Sequence, residues 1–383
     1  MNAGWSDERI ARAGITAACD PGAPDLADLV TRMGAAEVWE ALRQGPRQTA
    51  WSRRAATLDL AELVAQARRS DIRFLIPGDD EWPAGLEDLT RARVGGFGGP
   101  PIGLWVCGRA RASELLDGSV AIVGARASSP YGDEVAMAMA HDLSRAGRCI
   151  VSGGAYGIDA HAHQGALAAQ RPTVAFLACG LDRPYPVGNQ SLFARILDHE
   201  GLLVSEFVPG SAPTKRAFLA RNRLIAAASA ATVIVEAAAR SGARNTIAWA
   251  HACARPTLAV PGPVGSAMSV TPHRLIRDGE ATLAADADDV LVVVEPLSQG
   301  PQLASGGNSR LLDAVPDELM AVREVLPGRG NVSLAEVASA AGRPVPQCLA
   351  ALSRLEDLGL VAMTDDGLWR LVRPGLPSGG ARR

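Results

Sequence analysis

The segment from Lys215 to Arg223 is the part of the chain best suited to hold a nucleic acid. Four basic residues and one aromatic residue fall within its nine positions, and no acidic residue occurs between Glu206 and Glu236. Cations bind phosphates, an aromatic ring stacks on a base and a side-chain amide bonds to a base edge. The alternative interpretation is a solvated basic helix with its ring turned into the core.

The spacing within this segment gathers these functions on one face of a helix. Lys215, Phe218 and Asn222 stand at i, i+3 and i+7, and Arg221 is close beside them. This arrangement predicts a reader of one nucleotide.

Two glycine-containing loops follow predicted strands and could hold phosphates. In the first loop, Gly124 allows close backbone approach, Ser128 offers a hydroxyl and Arg126 a planar cationic fork. The second loop contains Gly153 and Gly154. A hydroxyl-rich turn whose arginine pairs with a nearby acid would explain the first loop equally well.

No motif supports a cofactor or a metal ion. Neither loop is a GxGxxG dinucleotide fingerprint, and the chain has no GxxxxGK[ST] phosphate loop. His161 and His163 are two positions apart on a predicted helix without a third ligand, so we interpret them as structural. Asp159 is interpreted as a carboxylate that compensates the helix dipole or caps the helix, and Glu236 as an ion-pair partner of the cations that follow it.

These loops require a sheet whose strands end at one edge. Six short apolar or β-branched runs recur at intervals of about 25 to 30 residues, as βαβ units require. We expect an α/β fold with a Rossmann-like, doubly wound, mostly parallel sheet that binds its ligand at the carboxyl ends of the strands. The runs are Val120–Val123, Cys149–Val151, Thr173–Leu177, Leu202–Val204, Thr232–Val235 and Thr257–Val260.

Smaller modules flank this sheet. Ser333 and Glu336 form a predicted capping box within a pattern of three helices and a hairpin, which is winged-helix order. The predicted organisation is a helical domain resembling SAM or helix-hairpin-helix modules at 1–72, an extended Rossmann-like DNA-binding domain at 73–295, a linker at 296–310, a winged-helix-like domain at 311–374 and a disordered tail at 375–383.

Composition limits where such a protein acts and how it binds. With 383 residues and a net charge of -3, the chain has no overall attraction for nucleic acid, so a DNA site must be a local concentration of cations. Six cysteines are scattered without metal-ligand or disulfide patterns. With neither a signal peptide nor a membrane segment in the sequence, we expect a cytoplasmic protein.

The chain resembles the DprA/Smf DNA-processing family in the order and spacing of its motifs, which cover nearly the whole predicted sheet. Segments similar to the family's lead-in lie at Phe74–Pro83 and Gly103–Gly108. The motifs are Val123–Arg126, Tyr131–Gly132, Ser152–His163, Cys179–Asp182, Tyr185–Pro186 with Asn189, Ser205–Glu206, Phe218–Ile225, Val235–Glu236, Ser241–Gly242 and Val260–Gly262.

The resemblance implies a homodimer that binds single-stranded DNA during natural transformation and loads RecA on DNA held by single-strand-binding protein. It implies no catalytic activity and no cofactor. By the same resemblance, Arg126, Lys215 and Phe218 line the nucleotide pocket. Arg221, Asn222 and Arg223 would lie beside it.

Three positions depart from the family pattern. Ala125 replaces a serine or threonine, and so removes one hydroxyl from the first loop. Ala243, Arg244 and Asn245 stand where small and aliphatic residues are usual. The segment Ser269–His273 differs from the usual Ser-x-Gly-x-Asn.

Two other functions remain open at this point. A Rossmann-like phosphoribohydrolase would use the Gly153–Gly154 loop together with Glu206 and Glu236. A duplex-binding regulator would read DNA with a winged helix, but the candidate recognition helix offers only Arg354 as a cation.

Overall fold

The computed structural model describes residues 5–45, 49–295 and 315–372. The predicted linker and tail lie outside these residues. The chain divides into two compact units, 1–302 and 303–383. The first unit contains both the N-terminal helices and the sheet, so a domain boundary near residue 72 stays a prediction.

A nine-stranded sheet organises the first unit, with the strand order β1-β4-β8-β7-β6-β5-β9-β10-β11. The strands from β8 through β10 are parallel to one another, which confirms the predicted α/β fold with a mostly parallel sheet. The strands are β1 (Ile72–Leu75), β4 (Leu104–Cys107), β5 (Val120–Val123), β6 (Ile150–Ser152), β7 (Thr173–Phe176), β8 (Leu202–Ser205), β9 (Ala231–Ile234), β10 (Thr257–Ala259) and β11 (Thr282–Leu283), with a separate hairpin of β2 (Arg93–Val94) and β3 (Phe97–Gly98).

The sheet extends beyond the six predicted strands at both edges. At one edge β4 pairs antiparallel with β8, and β1 pairs antiparallel with β4. At the other edge β11 pairs parallel with β10. The predicted strands themselves lie within one residue of their expected bounds at each end.

Helices cover both faces of the sheet and continue into the N-terminal region. Within the described residues of the first unit they are α1 (Asp7–Ala18), α2 (Pro24–Met33), α3 (Ala35–Gln44), α4 (Ala50–Thr57), α5 (Leu60–Arg69), α6 (Ala112–Leu116), α7 (Pro130–Arg145), α8 (Ile158–Ala168), α9 (Gln190–Asp198), α10 (Lys215–Ala228), α11 (Ala243–Ala252), α12 (Val270–Arg277) and α13 (Ala287–Val294). None of the helices in the described ranges has the length and apolar character needed to span a membrane.

The core lies in layers on the two faces of the sheet because successive strand residues point to opposite sides. In β5, Ala121 and Val123 pack with α10 and α11, whereas Val120 and Ile122 pack with α7, α8 and α13. All four side chains are buried. The strand ends are therefore held rigidly by the helices on both sides.

The second unit contains three helices and a short hairpin in the expected order. Ser333 accepts a hydrogen bond from the backbone N–H of Glu336, whose carboxylate accepts one from the backbone N–H of Ser333. This confirms the predicted capping box, while the winged-helix assignment stays a prediction. The elements are α14 (Asp317–Arg323), α15 (Leu334–Ala341), α16 (Val345–Asp357), β12 (Val361–Met363) and β13 (Trp369–Leu371).

Candidate nucleic-acid interface

An open cavity of about 860 Å³ lies where β5, β6 and β9 end and α10 and α11 begin. Its volume is within the range of about 300–1,000 Å³ that is usual for ligand sites. The lining includes four cations and only one acid, Asp159. The cations are Arg126, Lys215, Arg221 and Arg240.

Helix α10 places its first turn at the rim of this cavity. Thr214 caps the helix by accepting a hydrogen bond from the backbone N–H of Ala217. The exposed Lys215 and Arg216 stand in the first turn, which contains no acidic residue. Cations are unfavourable at this positive end of the helix dipole. Their cost is offset if an anion binds there, as at other helix N-termini.

Phe218 and Arg126 meet at the centre of the lining. The guanidinium carbon of Arg126 lies 4.4 Å from the ring centroid of Phe218, within the range of a cation–π contact. Arg126 is exposed and Phe218 is half-buried, so both side chains are partly accessible to a ligand. The three residues of the predicted helical face, Lys215, Phe218 and Asn222, all line the cavity.

Arg221 and Asn222 form the floor of the cavity, and both side chains are buried. Arg221 donates hydrogen bonds to the carbonyl oxygens of Gly153 and Phe176, which fix its guanidinium under the strand ends. Burial lowers the pKa of Arg221 to about 10, so the group stays cationic at neutral pH. Asn222 donates to the side-chain oxygen of Asn245 across the cavity.

The second glycine loop serves packing. A Cβ on Gly153 would lie 2.2 Å from the guanidinium of Arg221, so the glycine makes room for that cation. Gly154 has a φ of +68°, and a Cβ there would meet Phe193 at 2.8 Å. Neither glycine lines the cavity. The phosphate-binding role expected for these two residues has no geometric support.

Arg223 lies outside the cavity, contrary to the expected place beside the nucleotide pocket. Its side chain is 1 % exposed and forms a two-pronged ion pair with Glu206, which is equally buried. A third hydrogen bond runs from Arg223 Nε to the carbonyl oxygen of Gly99. The helix turns this residue away from the face of Phe218, because consecutive residues are about 100° apart around the axis.

The first glycine loop is held by Glu236. The carboxylate of Glu236 accepts hydrogen bonds from the backbone N–H and the hydroxyl of Ser129, at 2.8 and 2.6 Å. The expected pairing of Glu236 with the cations that follow it is therefore wrong. A Cβ on Gly132 would lie 2.3 Å from this carboxylate, so the helix start needs that glycine.

Gly124 and Ser128 complete the same loop. Gly124 lines the cavity, and a Cβ there would meet Ile158 at 2.5 Å. The hydroxyl of Ser128 donates to the carboxylate of Asp133 and does not line the cavity. Ala125, the first departure from the family pattern, is buried, and its backbone N–H donates to the carbonyl oxygen of Glu236.

The titratable groups next to the floor are also engaged. Asp159 lies in the first turn of α8, which fits the expected dipole-compensating role. It accepts a hydrogen bond from the backbone N–H of Ala155, which precedes the helix, so it does not cap the helix. Burial raises the pKa of Asp159, although Arg221 and Arg126 oppose the shift. No cluster of residues suited to a metal ion occurs within the described ranges, and His163 is fully buried among core residues.

The sequence interpretation missed the far wall of the cavity. Arg240, Ser241, Asn245 and Thr246 line it from the loop after β9 and the start of α11. Their position directly after a predicted parallel strand was the available signal, since loops there converge on the carboxyl edge. In the second departure, Asn245 lines the cavity whereas the exposed Arg244 does not.

Comparisons with known proteins agree with this architecture. Residues 73–295, more than half of the chain, match the family described as DNA recombination-mediator protein A. A protein of Mycobacterium tuberculosis strain H37Rv named DNA processing protein DprA is 39 % identical over 378 residues, which cover 96 % of this chain and 95 % of that protein. Protein Smf of Escherichia coli K12 is 34 % identical over 306 residues, 78 % of each chain.

A solved structure is similar in fold as well as in sequence. The X-ray structure of DNA processing protein A from Streptococcus pneumoniae has a TM-score of 0.61 and 28 % sequence identity, over 75 % of this chain and 98 % of that one. The similarity therefore includes nearly all of the pneumococcal chain.

Proposed function

The chain belongs to the DNA recombination-mediator protein A (DprA) family, and from this premise we propose that it binds single-stranded DNA in the cavity at the carboxyl edge of its sheet. It promotes recombination by delivering that strand to RecA and does no covalent chemistry on it. The proposal includes a cytoplasmic homodimer that works on DNA held by single-strand-binding protein, as the family resemblance implies.

One observation carries the proposal: the contact of Arg126 with Phe218 inside a cavity whose lining has four cations and one acid. A base must leave its stack to reach the face of Phe218, which an unpaired strand permits at little cost and a duplex does not. The cations around the ring suit the phosphates that flank such a base.

The proposed site consists of the residues that line the cavity. Arg126 and Lys215 take phosphates, Phe218 takes a base face, and Asn222 offers an amide toward a base edge. Gly124 and Arg221 shape the cavity, and Arg240 adds a cation on the far wall. Arg223, Ser128, Gly153 and Gly154 are left out because their groups are used within the fold.

The two carboxylates that a phosphoribohydrolase would use are engaged elsewhere in the fold. Glu206 is paired with Arg223, and Glu236 holds the loop at Ser129. Neither carboxylate lines the cavity. A general acid or base must reach the reacting atom directly or through one water molecule. These two contacts support a binding role for the site.

Fluorescence anisotropy across a salt series tests the proposal. Labelled oligo-dT and its duplex are titrated with wild type, the double variant Arg126→Ala/Lys215→Ala and the control Arg145→Ala. Arg145 is an exposed cation in the last turn of α7, at the opposite end of that helix from the loop that carries Arg126, and it does not line the cavity.

We expect salt-sensitive binding to the single strand by wild type and the control, and a loss of at least about tenfold in the double variant. If the double variant binds the single strand as tightly as wild type, the cavity is not the binding site. Absence of binding by wild type would overturn the function. RecA filament formation on DNA coated with single-strand-binding protein then tests the delivery step, which the same double variant should slow.

A further inference from the structure

Two exposed tyrosines stand beside the cavity without a role in it. The chain has three tyrosines, and Tyr156 and Tyr185 are 49 % and 42 % exposed. Tyr156 follows β6, which is next to β5 in the sheet, and Tyr185 follows β7, which is next to β6. The third, Tyr131, donates its hydroxyl to the carbonyl oxygen of Pro261, whereas the other two hydroxyls form no hydrogen bond within the described residues.

Tyr185 and Tyr156 continue the aromatic surface that begins at Phe218. The ring centroids of Tyr185 and Phe218 are 6.2 Å apart, with an angle of 57° between the planes. Tyr156 directly follows Ala155, which lines the cavity. Its ring lies against Gly188, where a Cβ would be 2.6 Å from the hydroxyl oxygen. The loops that carry Tyr156 and Tyr185 are therefore in contact, and Tyr185 lies near Phe218 in the first turn of α10.

The loop that presents Tyr185 is held in place, so its exposure does not come from a loose segment. Asp182 accepts hydrogen bonds from the backbone N–H of Gly210 and the side-chain amide of Gln66. Asn189 donates to the carbonyl oxygens of Gly154 and Ala155, which ties this loop to the one carrying Tyr156. Rings fixed before binding lose little entropy when a base stacks on them.

A cation accompanies the tyrosines. Arg183 is exposed two positions before Tyr185 and forms no ion pair with any described residue. Asp182, the neighbouring acid, is occupied by its two hydrogen bonds. An exposed ring and an unpaired guanidinium on one loop are groups that sequence-independent single-strand sites use for a base and its phosphate.

We propose that Tyr185 and Tyr156, with Arg183, form a second stacking station that carries the single strand out of the cavity across the ends of β7 and β6. This proposal rests on the proposed function and gives the bound strand a path. Nucleotides beyond those in the cavity stack on the two tyrosines, and Arg183 contacts a phosphate between them. The station lengthens the site without reading sequence, because every base has a face to stack.

Oligonucleotide length separates the station from the cavity. Labelled oligo-dT of about 4 and about 15 nucleotides is titrated with wild type, Tyr156→Ala, Tyr156→Ala/Tyr185→Ala and the ring-preserving control Tyr156→Phe/Tyr185→Phe. Tyr156→Ala leaves the contact between Tyr185 and Phe218 intact, so it also tests the station if the double alanine variant disturbs the cavity.

We expect each alanine substitution to weaken binding of the longer oligonucleotide by about 5-fold to 100-fold, which is the usual range for losing one base stack. Binding of the short oligonucleotide and both affinities of the phenylalanine control should stay within about 2-fold of wild type. An Arg183→Ala variant should show a shallower salt dependence with the longer strand only.

Two results would overturn the station. If both alanine variants bind the longer strand like wild type while Arg126→Ala/Lys215→Ala loses it, the cavity site stands and the path over the tyrosines is wrong. If wild type binds neither oligonucleotide, the station falls together with the proposed function.

Discussion

Arg126 lies over the ring of Phe218, with 4.4 Å between the guanidinium carbon and the ring centroid. The two residues come from the loop after β5 and the first turn of α10, which the fold brings together over the strand ends. Each planar group supports the other in the free protein. An incoming base can therefore stack on a surface that is already ordered, and its phosphate meets a cation already in place.

Removing the ring and removing the cation should change the salt dependence of single-strand binding differently. Phe218→Ala is expected to weaken single-strand binding by about 5-fold to 100-fold, because one base stack is lost. The salt dependence should stay unchanged, since a ring neutralises no phosphate. Lys215→Ala should instead lower the slope of log K against log salt by about 0.7, the value for one phosphate of a single strand.

Anisotropy titrations in a salt series measure both quantities, with Phe218→Tyr as the variant that keeps a ring. A change of slope in Phe218→Ala as large as that in Lys215→Ala would show that the ring acts mainly by holding Arg126.

The buried pair of Arg223 and Glu206 should carry stability and not DNA affinity. Arg223→Ala leaves the carboxylate of Glu206 buried without its partner, since both side chains are at most 3 % exposed. We expect a loss of about 3–5 kcal/mol in the free energy of unfolding. Replacing both partners, as in Arg223→Met/Glu206→Leu, should recover most of that loss.

Urea unfolding followed by tryptophan fluorescence measures the stability, and anisotropy measures binding by the folded double variant. If the double variant folds but no longer binds the single strand, Arg223 or Glu206 contributes to DNA binding, and a role in stability alone is wrong.

The six central strands, and with them the sheet edge at which their loops meet, could be predicted because the parallel strands are continuous apolar runs. Phe218 and Lys215 could be placed at the site because helical spacing and local charge are readable in the sequence. The edge strands β1 and β4 are antiparallel and outside the βαβ repeat, so the interval that found the others could not find them.

The roles of buried polar groups were the part that sequence could not settle. Arg221 and Arg223 are two positions apart with the same chemistry, yet one forms the floor of the cavity and the other pairs with Glu206. Glu236 was expected to face cations, but the loop of Ser129 folds onto it. Such partners are set by the packing of distant elements, which one sequence does not show.

Glu236 should act on DNA binding through the loop that carries Arg126. Glu236→Ala removes the acceptor of two hydrogen bonds from Ser129. We expect weaker single-strand binding, by about 3-fold to 10-fold, and a loss of about 1–3 kcal/mol in stability from the unpaired N–H and the missing contacts. Glu236→Gln keeps an acceptor at this position and should retain most of the affinity.

Anisotropy together with a nucleoside monophosphate hydrolysis assay distinguishes positioning from catalysis. Ser129→Ala is the matched variant, because it loosens the same loop without touching the carboxylate. Hydrolysis by wild type that disappears in Glu236→Gln would instead support the phosphoribohydrolase alternative.

His163 should make the fold sensitive to mild acid. Its side chain is fully buried, and its Nδ1 lies 2.8 Å from the hydroxyl oxygen of Thr173, which itself donates to the carbonyl oxygen of Ile150. The hydroxyl oxygen of Thr173 is therefore the acceptor, and the protonated Nδ1 of His163 donates a hydrogen bond to it. Burial, reinforced by Arg221, lowers the pKa of His163 to about 3.

The unfolded chain takes up a proton at His163 below a pH of about 6.5, whereas the folded protein does not until about pH 3. This position therefore costs no stability above about pH 6.5 and destabilises the fold increasingly as the pH falls toward 3. His163→Leu removes the titrating group, so its urea midpoint should fall less than that of wild type between about pH 7.5 and pH 5. His141→Gln, which replaces a half-buried imidazole on α7, serves as the matched histidine substitution. If the urea midpoints of wild type and His163→Leu fall equally over this pH range, His163 does not control the pH dependence.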